Sequence, residues 1–260
     1  MIESLHSPHI VRVKALLGSR GKKERGRTGL FVAEGLQCLR EAIDPGDGPS
    51  IETIYVTPAA IKRVEADSLD LSAHEVIEVS EAVMLEMAQT VTPQGILALC
   101  HFPVRVISDL RLSGSTRVVF LQEIQDPGNA GTIVRSADAM GIDAVITSPG
   151  SVDMYSPKVV RSTAGSLWHI PIYESVSLEE VVQEFPGFTV IALSADSTES
   201  IMDLSLDGDI VAVFGNEARG IEDLDASISR VKIPMPGSAE SLNLAAAASI
   251  VMFVLANQAQ

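Results

Sequence analysis

Aromatic side chains make up only 4% of this 260-residue chain, so its core has to be assembled from aliphatic residues. Hydrophobic residues reach 46%, enough to bury one large domain or two ordinary ones. No run of about 18 apolar residues occurs, which argues against a membrane span. The opening MIESLHSPHI lacks the charged-then-apolar order of a secretory signal, so a cytoplasmic location is expected. Cys38 and Cys100 are the only cysteines. They lack metal-ligand spacing and read as small buried hydrophobes. His6, His9, His74, His101 and His169 form no HExxH pattern, so no metal is expected. A GxxxxGK[ST] loop is missing and no GxGxxG follows a strand. Both absences disfavour an ATPase phosphate loop and ordinary dinucleotide binding.

Positive charge is scarce overall, with a net of −15, but it is unevenly placed. Residues 1–40 hold Arg12, Lys14, Arg20, Lys22, Lys23, Arg25, Arg27 and Arg40 against Glu3, Glu24 and Glu34, a local balance of +5. A basic arm on an acidic body can grip phosphates locally while the body repels non-specific nucleic acid. A solvated, floppy N-terminus accounts for the same composition.

Two regions alternate strand and helix, with a join near residues 103–115. In the first, GLFVAEG (29–35) reads as a strand, Leu36–Ile43 as a helix and DPGDGPS (44–50) as a loop. A strand at Ile51–Val56, a polar helix from Ala59, a helix capped by Ser80 and an apolar strand ILALC follow. After the join, VVFLQEI (118–124), DAVIT (143–147), FTVIALS (188–194), DIVAVFG (209–215) and RVKIPM (230–235) recur as buried strands would. Helical patterns at Thr132–Met140 and Leu178–Phe185 lie between them. The alternation predicts an α/β fold with a mostly parallel sheet covered on both faces. The expected organisation is an N-terminal domain over 1–104, a linker over 105–117 and a larger domain over 118–260.

Three segments of the second region carry chemistry. In LQEIQDPGNAGTIVRSADAMG (121–141) a strand runs into the loop 126–131 and then a helix. Such a loop stands where open α/β sheets place ligands, and free amides at a helix start attract anions. Arg135, about a turn further on, can reach the same crevice. In DIVAVFGNEARGIED (209–223) a buried strand stops at Gly215, and Asn216–Gly220 forms a polar turn. That turn is a good ligand wall, or merely a surface turn salt-bridged by Glu217 and Arg219. In the third, VKIPMPGSAESLNLAAAASIVMFVLANQ (231–258), Pro234 and Pro236 stiffen a strand end. An apolar helix after Ser241 follows, to be buried or placed at an interface. Capping by Ser241 explains one polar side chain at its mouth. Asn243 is left over, which favours a ligand role.

Taken singly, each segment admits a bland reading. Taken in order, they closely resemble the SpoU/TrmH family of RNA 2′-O-methyltransferases, within the SPOUT superfamily. The matching pieces are Asn129–Arg135, Phe214–Gly220, and Ile233-Pro234-Met235 with Ser241-Leu242-Asn243. Ser156–Gly165 also looks like the family, and residues 10–102 more loosely resemble its small substrate-binding domain.

The resemblance implies a SPOUT-type, trefoil-knotted C-terminal domain that binds S-adenosylmethionine and works as a homodimer, its site completed across the interface. It implies Leu193, Gly215, Asn216, Gly220, Ile233, Met235 and Leu242 around the cofactor. Asn129, Ser241 and Asn243 would orient the ribose and Arg135, Arg135 would grip the adjacent phosphate and stabilise the developing alkoxide, and Glu217 would hold the loop or pair with Arg135. The apolar stretch Leu167–Pro171 is consistent with an interface. The basic residues Arg12, Lys14, Arg20, Lys22, Lys23, Arg25 and Arg27 would touch RNA. The separate first domain favours ribosomal over transfer RNA as substrate. A non-catalytic ribosome-assembly factor keeping the fold is the reading from another class.

Overall fold

The computed structural model describes residues 1–112, 114–221 and 228–258. Its elements run α1 (Pro8–Leu17), α2 (Gly21–Thr28), β1 (Leu30–Glu34), α3 (Leu36–Ile43), β2 (Ser50–Val56), α4 (Pro58–Ala66), β3 (Glu75–Glu78), α5 (Glu81–Met87) and β4 (Ile96–His101). They continue with β5 (Arg117–Leu121), α6 (Pro127–Ala139), β6 (Ala144–Thr147), α7 (Pro157–Ser162), β7 (Ile172–Tyr173), α8 (Leu178–Glu184), β8 (Thr189–Leu193), β9 (Ile210–Phe214), β10 (Ser229–Val231) and α9 (Leu244–Gln258). The chain divides into two compact units. One is Met1–Val104 with Asp153–His169; the other is Arg105–Val152 with Ile170–Gln260. No helix among the described residues is long and apolar enough to cross a membrane.

The first unit is built on a four-stranded sheet ordered β1-β4-β2-β3. In it β4 runs antiparallel to β1 and β2, while β2 and β3 are parallel. The N-terminus is part of this body. Ser7 caps α1, accepting from the His9 amide, and Pro8 follows at the first helical position. Ile10, Val13 and Leu16 then enter the core with Leu30, Val32, Tyr55, Met84, Leu97 and Leu99. The segment expected as a basic arm, or alternatively as a floppy terminus, is therefore two folded helices; the apolar positions of α1 stand among charges, and α2 has no apolar side chain.

Arg25 changes standing with it. It is 6% exposed; Nε and Nη2 donate to Asp153 Oδ2 at 3.0 and 2.6 Å, and Nη1 donates to the Leu16 carbonyl. A guanidinium so occupied is not free for phosphate, so Arg25 leaves the RNA-facing set. Arg25→Ala should cost about 3 kcal/mol of stability by stranding a half-buried carboxylate, seen as an earlier denaturant midpoint with an unchanged slope. A variant as stable as the parent would remove this structural role.

The Ser156–Gly165 segment, expected inside the C-terminal domain, lies in the first unit. So do Leu167 and Trp168, both buried there. The Trp168 indole N–H donates to the Pro49 carbonyl at 2.9 Å, and its ring tilts against Phe31. A buried tryptophan with its donor satisfied is core, so Leu167 and Trp168 pack inside this unit and present no surface to a partner.

The second unit holds a six-stranded sheet ordered β10-β8-β9-β5-β6-β7, parallel at every pairing. The central β9 and β5 are buried throughout, as strands covered on both faces must be. The core joins Val118, Phe120, Ile146, Tyr173, Val211 and Val213. Leu110 belongs to it and Ile107 packs against it, so the segment expected as a linker is anchored here. Both cysteines are buried and unpaired.

Candidate active site

The site forms at the carboxyl ends of the parallel strands, where such sheets leave a crevice. Strand β8 delivers Leu193, β9 ends at Gly215, the chain beyond β10 brings Ile233 and Met235, and α9 opens after Asn243. These residues enclose a cavity of about 340 Å³, within the range of about 300–1,000 Å³ usual for small-molecule sites. All seven residues expected around the cofactor line it, with Asn129, Glu217, Ser241 and Asn243. Ser194, Ala195, Leu244 and Ala247 also line it and were missed. They are ordinary strand-end and helix residues, without a signal of their own.

The Asn216–Gly220 turn is a closed loop. The Asn216 and Gly220 amides each donate to the other's carbonyl at 2.9 Å. Asn216 Oδ1 accepts from the amides of Ala218 and Arg219, and its Nδ2 donates to the Glu123 carbonyl at 2.9 Å. Gly215 is required by close approach, since a Cβ there would overlap the Gly220 carbonyl and the Ile221 side chain. Arg219 pairs with Glu123, not with Glu217.

Glu217 turns the other way. Its carboxylate accepts from the amides of Gln125 (3.3 Å) and Asp126 (3.1 Å) and from Asn129 Nδ2 (3.3 Å). Burial alone would raise its pKa. Hydrogen bonds from its own amide, Asp126, Asn129 and Gln125 outweigh that and hold the carboxyl below its ordinary value. It is thus an anion at neutral pH, with its oxygens committed to binding the loop.

Asn129 stands at the third position of α6, which starts at Pro127 and not at Thr132. The expected loop 126–131 is largely the helix's first turn. Asp126 caps it, accepting from the Asn129 amide at 2.8 Å. Two carboxylates, Asp126 and Glu217, already hold amides at this helix start, so it is not the open anion site expected.

Asn243 is likewise accounted for. Its Oδ1 accepts from the amides of Ala245 (2.9 Å) and Ala246 (3.3 Å), and its Nδ2 donates to Asn129 Oδ1 at 3.0 Å. The cap of α9 is Asn243 rather than Ser241, because the helix begins two residues later than expected. Ser241 is exposed and lines the cavity. The two helices are tied further along by a 2.8 Å bond between the Ser136 and Ser249 hydroxyls. One continuous chain of bonds therefore runs from the α9 amides through Asn243 and Asn129 to Glu217.

Arg135 is the expected site residue that the structure does not bring in. It is exposed, outside the cavity lining, and bonded to no described residue. Helix geometry explains this: it lies six residues beyond Asn129, about 9 Å along the axis and about 120° around it. Glu217 accordingly does not pair with it.

Of the basic residues, Arg12, Lys14 and Arg27 make exposed ion pairs with Glu52, Glu86 and Glu24. Arg20, Lys22 and Lys23 are exposed and bonded to no described residue.

The described lining carries one carboxylate and no basic side chain. That composition is wrong for a phosphate-bearing nucleotide. It suits a cofactor without phosphate groups, whose adenosine meets apolar walls and backbone edges and whose sulfonium is cationic. S-adenosylmethionine fits.

The family model described as the SpoU rRNA Methylase family matches residues 116–253, and that of the MRM3-like substrate binding domain matches residues 10–98. The chain belongs to the SpoU rRNA methylase family. As a SpoU methylase it is an S-adenosylmethionine-dependent RNA 2′-O-methyltransferase of the SPOUT superfamily. It is 32% identical to the 23S rRNA (guanosine(2553)-2′-O)-methyltransferase RlmP of Bacillus subtilis, over 90% of this chain and 91% of that one. A solved structure of an AdoMet-bound rRNA methyltransferase from Sinorhizobium meliloti superposes with a TM-score of 0.83 at 29% identity, over 98% and 96% of the two chains. A structure concerned with 2-OH methylation of C/U34 on tRNA matches 56% of this chain and 97% of its own, with a TM-score of 0.51 and 30% identity.

Proposed function

We propose that this SpoU methylase modifies a ribose 2′-oxygen of ribosomal RNA, as a cytoplasmic homodimer whose first unit holds the RNA. The carrying observation is the cavity. Its described walls are largely apolar and hold no basic side chain, and the Asn129–Asn243 pair lines it. S-adenosylmethionine supplies there an electrophilic methyl carbon, so no metal is needed. The protein's own task is to place the 2′-oxygen in line and let its proton leave.

Asn129, Ser241 and Asn243 orient the ribose. The bonds from α9 and Glu217 hold both asparagine amides in place, so their orientation is set before RNA arrives. Glu217 is a poor proton acceptor, with its affinity for a proton lowered and its oxygens engaged. Arg135 cannot be the base either, since a guanidinium offers only donors and no acceptor. Its part is to grip a phosphate and stabilise the developing alkoxide, with the proton passing to that phosphate or to water.

Because Arg135 stands outside its own chain's cavity, the reading places it in the site of a second copy. An apolar face of α9 supports that reading. Ala246, Ile250 and Phe253 form an exposed stripe at helical spacing, Ile250 being 39% and Phe253 55% exposed. Phe253→Asp combined with Ile250→Asp should yield monomers in sedimentation, without transferase activity but still folded. Dimers persisting in that variant would refute the assignment of this face.

Ribosomal RNA is favoured over transfer RNA by domain content. The tRNA-related structure spans only about half of this chain, whereas the rRNA-related matches span nearly all of it. The test is incubation with labelled S-adenosylmethionine and total RNA, followed by nuclease mapping. Label is expected on one ribose of ribosomal RNA. Label on a base, or none, would sink the reading.

A further inference from the structure

A second cavity, of about 330 Å³, lies wholly within the first unit. Its walls come from three stretches distant in sequence. These are the β1–α3 turn and first turn of α3 (Glu34, Gly35, Gln37, Cys38), the chain leading into β4 (Thr90, Thr92, Gln94), and the end of α7 (Arg161, Ala164). The Ser156–Gly165 motif, which the methyl-transfer site leaves without a role, therefore contributes its arginine here.

Several groups in this cavity are already committed. Glu34 accepts from the Gln89 amide at 2.7 Å and from the Thr90 hydroxyl at 3.1 Å. Gln94 Oε1 accepts from the Leu36 amide at 2.9 Å. Gln37 is held by Glu41 and Arg40. Burial pushes the Cys38 thiol up to about 11, aided by Glu34 and Glu41 and opposed by Arg161. That thiol is neutral and is no nucleophile.

What remains uncommitted is specific. The Arg161 guanidinium is exposed and bonded to no described residue, and neither the Thr92 hydroxyl nor the Gln94 side-chain amide N–H groups bond a described residue. The backbone just beyond Arg161 takes an unusual turn. Ala164 has a φ of 51° and Gly165 one of 105°, and a Cβ at Gly165 would overlap the Glu41 side chain. A non-glycine residue in the left-handed region is costly and persists only where its surroundings enforce it.

We propose that this cavity is an RNA subsite that takes one unstacked nucleotide. Arg161 binds its phosphate, while Thr92 and the Gln94 amide read the edge of its base. The charge pattern selects that ligand: among the described walls one free cation stands beside neutral donors and acceptors, with the Glu34 carboxylate engaged by Gln89 and Thr90, which suits a single phosphate with an uncharged base, not a polyanion. Single-stranded RNA is read in this manner, through splayed bases and isolated phosphate contacts. The proposal rests on the reading of the chain as an RNA methyltransferase and adds where substrate RNA is held away from the reacting ribose.

The test uses the full chain and a fluorescein-labelled single-stranded RNA read by anisotropy, with methyl transfer to ribosomal RNA and cofactor calorimetry alongside. Arg161→Gln and the plugging substitution Thr92→Trp should each weaken RNA binding about tenfold and raise KM for RNA to match. Both should leave kcat and S-adenosylmethionine affinity within about twofold. Arg161→Gln should flatten the salt dependence by about 0.7 in log–log slope, the value for one single-strand phosphate contact. Arg161→Lys should restore much of the binding. Lys62→Gln, on the exposed face of α4, should change nothing. RNA binding within twofold of the parent in both cavity variants would overturn the subsite, as would losses that track a lowered melting temperature. A parent protein that binds RNA but methylates none would sink the methyltransferase reading, while weakened binding in these variants would still support the subsite.

Discussion

Arg135→Ala should lower methyl transfer by roughly 10³-fold while leaving S-adenosylmethionine binding within about twofold. Arg135 touches neither the cavity nor the Asn243–Asn129–Glu217 chain of bonds, so its removal disturbs no wall of the cofactor site. Its exposure also predicts an unchanged melting temperature. The loss should fall on kcat with RNA saturating, because an alkoxide-stabilising contact is made mainly in the transition state. Full activity would remove Arg135 from the mechanism. Loss of cofactor binding would mean that it supports the pocket instead.

Gly215→Val should abolish cofactor binding, with affinity falling by at least about 100-fold, near 2.7 kcal/mol. The added carbons have no room between β9 and the Gly220 carbonyl. The mutual bonds of Asn216 and Gly220 would have to open, and Glu217 would lose its approach to the start of α6. Calorimetry gives the answer directly, and affinity within threefold of the parent would refute the close-packing argument. The two variants also test the shared site together. Each is expected to be inactive alone, but random mixing places Arg135 of one chain against the intact cavity of the other. Co-refolding them should recover about a quarter of parental activity, one working site in half of the dimers. Recovery near zero would contradict completion of the site by a second copy.

Strand-bearing parts of the fold were legible where residues alternate in β-branched blocks. The five runs after the join became β5, β6, β8, β9 and β10, and α3 spans the expected Leu36–Ile43. The short β3 and the two-residue β7 left no such pattern. Helix α1 was hidden by charge, since Ile10, Val13 and Leu16 alternate with Arg12 and Lys14, and α2 carries no apolar side chain that could give a pattern. At the site, the seven cavity-lining residues expected around the cofactor came from the family resemblance rather than from periodicity. Helix ends were harder: Ser241 and Asn243 are both good caps, and only the backbone decides which one serves. The Arg161 cavity could not be read at all, because its walls meet only when the chain folds.

One consequence follows from the way Asp153–His169 completes the first unit. The Arg25–Asp153 bond, the stacking of Phe102 on Tyr155 at 4.6 Å, and the seat of Trp168 on Pro49 all await that segment. On the ribosome, synthesis of residue 104 therefore does not finish the N-terminal half. Its core stays open while about 65 more residues emerge, several seconds at usual elongation rates. The first-made half is thus closed only after β5, α6 and β6 of the second have been produced, and no continuous fragment of this chain contains either half alone.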